Sequence, residues 1–124
     1  LYLKNGKKII KVEVKACRAI NTKLRGGLET KALSFESNEP YWMNFQQIKL
    51  DIADVFVFVG VWVDKTLYWV LTNKEVKKHP TRSHQHRGGI EYQIGITEKN
   101  IKEFKRFLVE PNQLVDIVKS KVKK

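Results

Sequence analysis

Glu13 and Lys15 place a carboxylate and an ammonium two positions apart in the alternating segment KIIKVEVKAC, residues 8–17. Successive side chains of a β-strand point to opposite faces, so the two groups would share one face, about 6–7 Å apart along the strand. A carboxylate can bind a hard divalent cation such as Mg²⁺, and a lysine beside it can hold or deprotonate a water that attacks a phosphate. The pair therefore suits phosphate-ester hydrolysis, or it is an ordinary charge pair on an exposed strand.

The neighbouring residues predict the hairpin that would position this pair. Asn5-Gly6 separates two strand-like runs, which predicts that residues 1–4 and 7–17 pair antiparallel. The second strand would turn its other face to the core, with Ile10, Val12, Val14 and Ala16 on that face.

The rest of the chain predicts a mixed sheet with helices around it. The apolar run 55–63 is typical of a central strand covered on both faces, and residues 66–72 and 90–96 predict further strands. Residues 20–40 and 80–89 are expected to be loops, and residues 41–50 suit either a helix or a strand. Helices are expected over 73–78, over 98–109 and from Pro111 onward, the last with Leu114, Val115, Val118 and Val122 on its apolar face. The expected fold class is α/β (α+β), a mixed central β-sheet of about four to six strands flanked by helices.

Composition limits the kinds of protein this can be. The chain of 124 residues has the length of one domain, and 24 basic against 13 acidic residues give a net charge of +11. Such a charge attracts polyanions, which favours nucleic acid as the partner, although a lysine-rich proteome would also explain it. The single Cys17 cannot form an internal disulfide, which favours the cytoplasm. No run approaches the roughly 20 apolar residues of a membrane span, so no membrane partner is expected.

Three segments together resemble a known family. The hairpin YLKNGKKII leads into Val12-Glu13-Val14-Lys15, and WMNFQQ (residues 42–47) precedes DVFVFVG (residues 54–60). In this order they resemble the PD-(D/E)XK nuclease superfamily, to which many restriction endonucleases belong, over about residues 1–72. An E-x-K triplet alone is a weak signal, since the chain also contains Glu75-Val76-Lys77 and Glu103-Phe104-Lys105.

The resemblance implies a restriction-endonuclease-like fold and a Mg²⁺-dependent endonuclease that hydrolyses phosphodiester bonds of double-stranded DNA. The implied protein is a type II restriction endonuclease or its catalytic part, and such enzymes usually act as homodimers. It implies Glu13 as the metal ligand and Lys15 as the residue that orients or activates water. Gln47 would support the lysine or the attacking water, although Gln46 and Gln47 suit the polar surface of a helix equally well.

One feature departs from the family pattern. The family's first motif contributes an Asp upstream of the hairpin, and no acidic residue precedes Glu13 here. We expect either a fragment that lacks N-terminal elements, with that Asp before Leu1 or on a partner chain, or a substitute acid, or a fold that persists without catalysis. The candidate substitutes are Glu29, Glu36, Glu39, Asp51 and Asp54.

Basic and polar residues predict where nucleic acid would bind. The candidates are Arg18, Lys23, Arg25, Arg82, His84, Gln85, His86 and Arg87. Arginine pairs with guanine edges and glutamine with adenine, whereas the two closely spaced histidines lack the further ligands of a zinc site.

The aromatic residues leave two roles open. Tyr41, Trp42, Trp62, Tyr68 and Trp69 could stack on bases, but their spacing is more typical of core.

Three alternatives to a restriction enzyme stay open. One is a Holliday-junction or repair nuclease, which would share Glu13 and Lys15 but recognise DNA shape. The others are a non-catalytic basic nucleic-acid-binding domain and a basic scaffold protein.

Overall fold

The computed structural model describes residues 1–27, 31–80, 82–86 and 89–122, with the backbone alone described at residues 82 and 84–86. Its strands are β1 (Tyr2–Asn5), β2 (Lys8–Arg18), β3 (Ile20–Asn21), β4 (Tyr41–Ile48), β5 (Val55–Val61), β6 (Thr66–Thr72), β7 (Arg82–His86), β8 (Gly89–Thr97) and β9 (Leu108–Val109). Two α-helices, α1 (Asn73–Lys78) and α2 (Leu114–Lys121), accompany 3₁₀ helices at Leu50–Ile52, Ile101–Phe107 and Pro111–Gln113.

The first two strands form the predicted hairpin. Asn5 pairs with Lys8 across a turn in which Gly6 has φ of 67°, a conformation that glycine adopts without steric cost. β2 then runs parallel to β5, with Glu13 opposite Phe56 and Lys15 opposite Phe58.

The strands form two sheets. The larger has the order β1-β2-β5-β6-β9 and is mixed, because only the β2–β5 pair is parallel. The smaller, β3-β4-β8-β7, is antiparallel throughout. The α+β class with a mixed sheet is thus confirmed. Of the two faces of the larger sheet, one is covered by α2 and the other by the smaller sheet.

Each face of the larger sheet has its own core. Between the sheets, aromatic and aliphatic side chains interdigitate, among them Phe56, Phe58, Trp69 and Leu71 from one sheet and Met43, Phe45, Ile94 and Ile96 from the other. Under α2, a smaller cluster contains Ile10, Val55, Val57, Val70 and Val118. The central strand β5 contributes to both clusters, which agrees with its uninterrupted apolar sequence.

Two surfaces expected to be core are partly open. Ile10 is buried, but Val14 is 44% exposed and Ala16 is also exposed. β1 pairs only as far as Lys11, so among the described residues no strand pairs with the second half of β2 along its outer edge. On α2, Val118 is buried whereas Val115 is 52% exposed, so the predicted apolar face is wider than the surface it packs against.

Two element predictions are wrong or shifted. Part of the expected 80–89 loop forms the edge strand β7, which pairs with β8. The expected helix over 98–109 is a shorter 3₁₀ helix, Ile101–Phe107, followed by β9. Residues 41–50, which suit either a helix or a strand, form β4 and the start of a 3₁₀ helix. The expected helix α1 begins after Thr72, which forms a capping box with Glu75.

Part of the expected 20–40 loop, residues 28–30, lies outside the described residues. Within the residues that are described, no helix is long and apolar enough to cross a membrane.

Candidate active site

Glu13 and Lys15 lie side by side on the face of β2 that turns toward the smaller sheet. The Lys15 Nζ atom is 4.0 Å from Glu13 Oε1. The Lys15 side chain is 22% exposed and the Glu13 side chain is 36% exposed. On β5, Glu13 pairs with Phe56 and Lys15 pairs with Phe58, and both phenylalanines are buried between the sheets. Because paired residues share a face, Glu13 and Lys15 also point toward the smaller sheet. The pair thus stands at the open margin of the inter-sheet core, partly shielded from water and still reachable.

Gln47 meets this pair through its main chain. Its carbonyl oxygen accepts a hydrogen bond from Lys15 Nζ at 3.2 Å. A bulge interrupts β4 between Phe45 and Ile48, and Gln47 within it has φ of 55°. A left-handed residue other than glycine is strained, and here the strain accompanies a carbonyl directed at the candidate catalytic lysine. The sequence prediction named Gln47, but a glutamine gives no signal of a left-handed backbone.

Cys17 continues the same face and lies against β4. Its Sγ is 3.8 Å from the Asn44 carbonyl oxygen and 3.7 Å from the Arg18 carbonyl oxygen. Burial raises the pKa of the Cys17 thiol, and the hydrogen bonds to these two carbonyls oppose that effect without cancelling it. The thiol is therefore protonated at neutral pH, which suits a packing residue rather than a nucleophile.

No further acid completes a metal site among the residues described. Those residues contain no group of three or more histidine, cysteine or acidic side chains able to hold an ion. Of the candidate substitutes, Asp54 precedes β5 and uses its carboxylate to accept the Lys11 main-chain N–H at 2.9 Å. Glu39 pairs with Lys23 at 3.4 Å. Glu36 and Asp51 join no such group, and Glu29 lies outside the described residues.

The strand β7 approaches the Gln47 end of β4. Ile48 pairs with Tyr92 of β8, and Tyr92 pairs with Ser83 of β7. Two strand spacings separate β7 from β4, about 10 Å. Arg82, His84, Gln85 and His86 belong to β7, and Arg87 lies outside the described residues. The backbone therefore carries this predicted nucleic-acid-binding segment along the side of the smaller sheet next to Gln47.

The other predicted basic residues lie elsewhere. Arg18 ends β2, and alternation along the strand places it on the face opposite Lys15. Lys23 and Arg25 are exposed in the segment after β3. The predicted basic residues thus fall into two groups, one on the edge strand β7 of the smaller sheet and one at the end of β2 and after β3.

Sequence reasoning missed one buried acidic residue of the smaller sheet. Glu91 on β8 is buried, and its Oε2 is 3.9 Å from Lys49 Nζ. It directly precedes Tyr92, the partner of Ile48. The alternation of IEYQIGI assigns Glu91 to the polar face, but it could not show that this part of the face is covered.

Comparisons with protein-family models, with curated proteins and with solved structures give no match to this chain.

Proposed function

We propose that this protein is a Mg²⁺-dependent endodeoxyribonuclease of the restriction-endonuclease-like class, acting on double-stranded DNA as a type II restriction endonuclease or its catalytic part. The observation that carries the proposal is the Glu13–Lys15 pair: a carboxylate and an ammonium 4.0 Å apart on one strand, with the ammonium oriented by a main-chain carbonyl of a second sheet. An ordinary surface pair needs no such orienting partner.

Glu13 is the residue that would hold Mg²⁺. This ion is commonly bound by one or two carboxylates together with substrate phosphate oxygens, so a single carboxylate beside an approaching phosphodiester fits it. When bound, the ion supplies positive charge opposite the phosphate and acidifies water. Asp54 directly precedes the neighbouring strand β5, and its carboxylate accepts the Lys11 main-chain N–H, two residues before Glu13.

Lys15 would orient the attacking water and offset charge on the phosphate in the transition state. Gln47 acts through its carbonyl as a positioning residue, because that oxygen restrains the ammonium. The net charge of +11 would bring DNA to the site, with β7 and its Arg82, His84, Gln85 and His86 on the adjoining side. The free thiol of Cys17 agrees with a reducing compartment such as the cytoplasm.

The decisive experiment is DNA cleavage with and without Mg²⁺. Glu13→Ala and Lys15→Ala should each abolish cutting of plasmid DNA while DNA binding persists. The triplet Glu103-Phe104-Lys105 gives matched controls. Glu103→Ala and Lys105→Ala remove the same two kinds of side chain, but from a 3₁₀ helix where both are exposed. Cutting that survives in both Glu13→Ala and Lys15→Ala would disprove the proposal. Preferential cutting of a four-way junction would instead identify a junction or repair nuclease.

A second candidate function is a non-catalytic nucleic-acid-binding domain. It is favoured by the absence, among the described residues, of three clustered metal-ligating side chains. It predicts binding that falls steeply with salt and no cutting at any Mg²⁺ concentration.

A further inference from the structure

Trp42 is exposed to solvent, unlike the other two tryptophans and the neighbouring Tyr41. It is 49% exposed, whereas Tyr41, Trp62 and Trp69 are 9%, 4% and 1% exposed. Alternation along β4 explains the difference, because Tyr41 and Met43 point into the inter-sheet core and Trp42 points outward. Its neighbour on β3 is Ile20 and its neighbour on β8 is Thr97. An indole is thus displayed on the outer face of the smaller sheet, where no helix packs on it within the described residues.

A pocket of about 340 Å³ adjoins this indole. Its volume falls in the range of small-ligand sites, and its lining residues are Ile20, Asn21, Thr22, Leu24, Lys31 and Trp42.

Asn21 lines the pocket without facing the indole. It is only 4% exposed, and its Oδ1 accepts the Lys23 main-chain N–H at 2.8 Å. Asn21 pairs with the buried Tyr41, so the two side chains share the inner face of the sheet, whereas Ile20 shares the outer face with Trp42. Ile20 is therefore the strand residue that flanks the indole where a ligand would meet it.

Cations border the pocket. Lys31 lines it, and Arg25 is exposed in the segment that follows β3. Lys23 is partly neutralised by Glu39, 3.4 Å away. The surface therefore combines an exposed flat ring with at least one positive charge.

We infer that this pocket binds an unstacked base of single-stranded nucleic acid, with Trp42 stacking on the base and Lys31 meeting the neighbouring phosphate. A nucleotide supplies both complements together: a flat face for the indole and an adjoining negative charge for the lysine. The Glu13–Lys15 pair takes no part in this binding, so the inference holds whether or not the protein cuts DNA.

The test measures binding of fluorescein-labelled oligo(dT) by anisotropy in EDTA, which removes any cleavage. Trp42→Ala should weaken binding about 5- to 150-fold, and Trp42→Phe should retain most of the affinity because the ring still stacks. Tyr2→Ala is the matched control, since Tyr2 is a 75% exposed aromatic residue on the larger sheet. It should bind as the parent does.

Two further readouts locate the contact. Unlabelled oligo(dT) should quench the tryptophan fluorescence, and the quenching should vanish in Trp42→Phe because Trp62 and Trp69 are buried. Lys31→Ala should lower the slope of log affinity against log salt by about 0.7, as expected for one lost phosphate contact. The exposed Lys102→Ala should leave that slope unchanged.

Equal affinities of the parent and Trp42→Ala would overturn the inference, and so would equal losses in Trp42→Ala and Tyr2→Ala. Absence of oligo(dT) binding would also overturn it. Circular dichroism of Trp42→Ala distinguishes lost stacking from lost folding, and Trp42→Phe gives an independent result if the alanine variant unfolds. Failure of Mg²⁺-dependent cutting would leave this result unaffected, because no metal ion is present.

Discussion

The ammonium of Lys15 on β2 donates a hydrogen bond to the main-chain carbonyl of Gln47 on β4, and so joins the two sheets across 3.2 Å. Gln47 is the one described residue other than glycine with a positive φ, 55°. Holding a lysine side chain in one conformation costs considerable side-chain entropy. The Gln47 carbonyl oxygen, which a strained backbone holds in place, therefore restrains the position of the Lys15 ammonium.

Substitutions at Gln47 separate the backbone from the side chain. Left-handed backbone costs an L residue about 1–2 kcal/mol, and glycine avoids that cost but loses more chain entropy on folding. We expect Gln47→Gly to change the free energy of unfolding by less than about 1 kcal/mol. Gln47→Val should lower it by about 1–2 kcal/mol, because a β-branched residue tolerates positive φ least. Denaturant titration measures both values.

The same two variants test the positioning role. If the carbonyl orients Lys15, the cleavage rate of Gln47→Gly should exceed that of Gln47→Val, and the order should hold at saturating DNA. Equal and complete loss of cutting in both variants, with both folded, would show that the glutamine side chain itself is required.

Gly60 is expected to be intolerant of a larger side chain. A Cβ atom there would lie 2.8 Å from Trp69 Cζ3 and 2.9 Å from Met43 Sδ, in the core between the sheets. Gly60→Ala should therefore lower the free energy of unfolding by about 1–3 kcal/mol, since overpacking a dense core shifts its neighbours. Gly27→Ala is the control, because its Cβ would meet nothing within 4 Å. If the two variants are equally stable, the sheets pack less closely than the structure shows.

The strand that carries Glu13 and Lys15 could be predicted from the sequence, but the edge strand β7 could not. Asn5-Gly6 and the alternation through Glu13 and Lys15 are local signals, so β1, β2 and their faces could be predicted. β7 could not, because Arg82-Ser83-His84-Gln85-His86 has no apolar residue and becomes a strand only by pairing with β8. Polar edge strands commonly lack the alternation that marks central ones.

The missed helix start has an equally specific cause. The helix expected from residue 98 does not begin there, because the Thr97 main-chain N–H donates to Asn100 Oδ1 at 2.8 Å and Asn100 Nδ2 donates to the Gly95 carbonyl oxygen at 2.7 Å. These bonds extend β8 into a turn and delay the helix until Ile101. Asparagine competes with regular structure through such local bonds, and sequence alone does not reveal which one it makes.

Lys121 and Glu75 tie α2 to α1, and this tie should depend on pH. Lys121 Nζ is 2.7 Å from Glu75 Oε1. Partial burial acts to raise the pKa of Glu75, but hydrogen bonds from Lys121 and from the Thr72 main chain together outweigh it and lower the pKa. A lowered pKa in the folded state means that the stabilisation is present above the unfolded pKa and is lost as pH falls through the folded one.

The measurement compares Lys121→Ala with Lys119→Ala, which removes the same charge from the same helix. At neutral pH, Lys121→Ala should be less stable by about 1 kcal/mol, a small value because the pair is partly exposed. The difference should shrink in acid as Glu75 becomes protonated. A difference that is constant with pH would assign the effect to the contact of Lys121 with the Phe107 ring instead.

Tyr41 should contribute to alkaline unfolding. Burial first, and then the negative charge of Glu98, raise the pKa of Tyr41 to about 12. A phenol with a raised pKa in the folded state stabilises the fold fully below its unfolded pKa, and the stabilisation is lost as pH rises through the folded value. Subtracting the absorbance titration of Tyr41→Phe from that of the parent should isolate a transition near pH 12.

Glu98→Gln distinguishes the two causes of this shift. Removing the charge should move the Tyr41 transition toward lower pH without restoring the ordinary value of 10, because burial is the larger cause. Glu98 Oε2 also accepts the Tyr41 main-chain N–H at 3.1 Å, a bond that glutamine can still accept, so the fold should persist. A Tyr41 transition at its ordinary pH in the folded parent would show that water reaches the phenol and that the Tyr41–Trp62 edge contact is open.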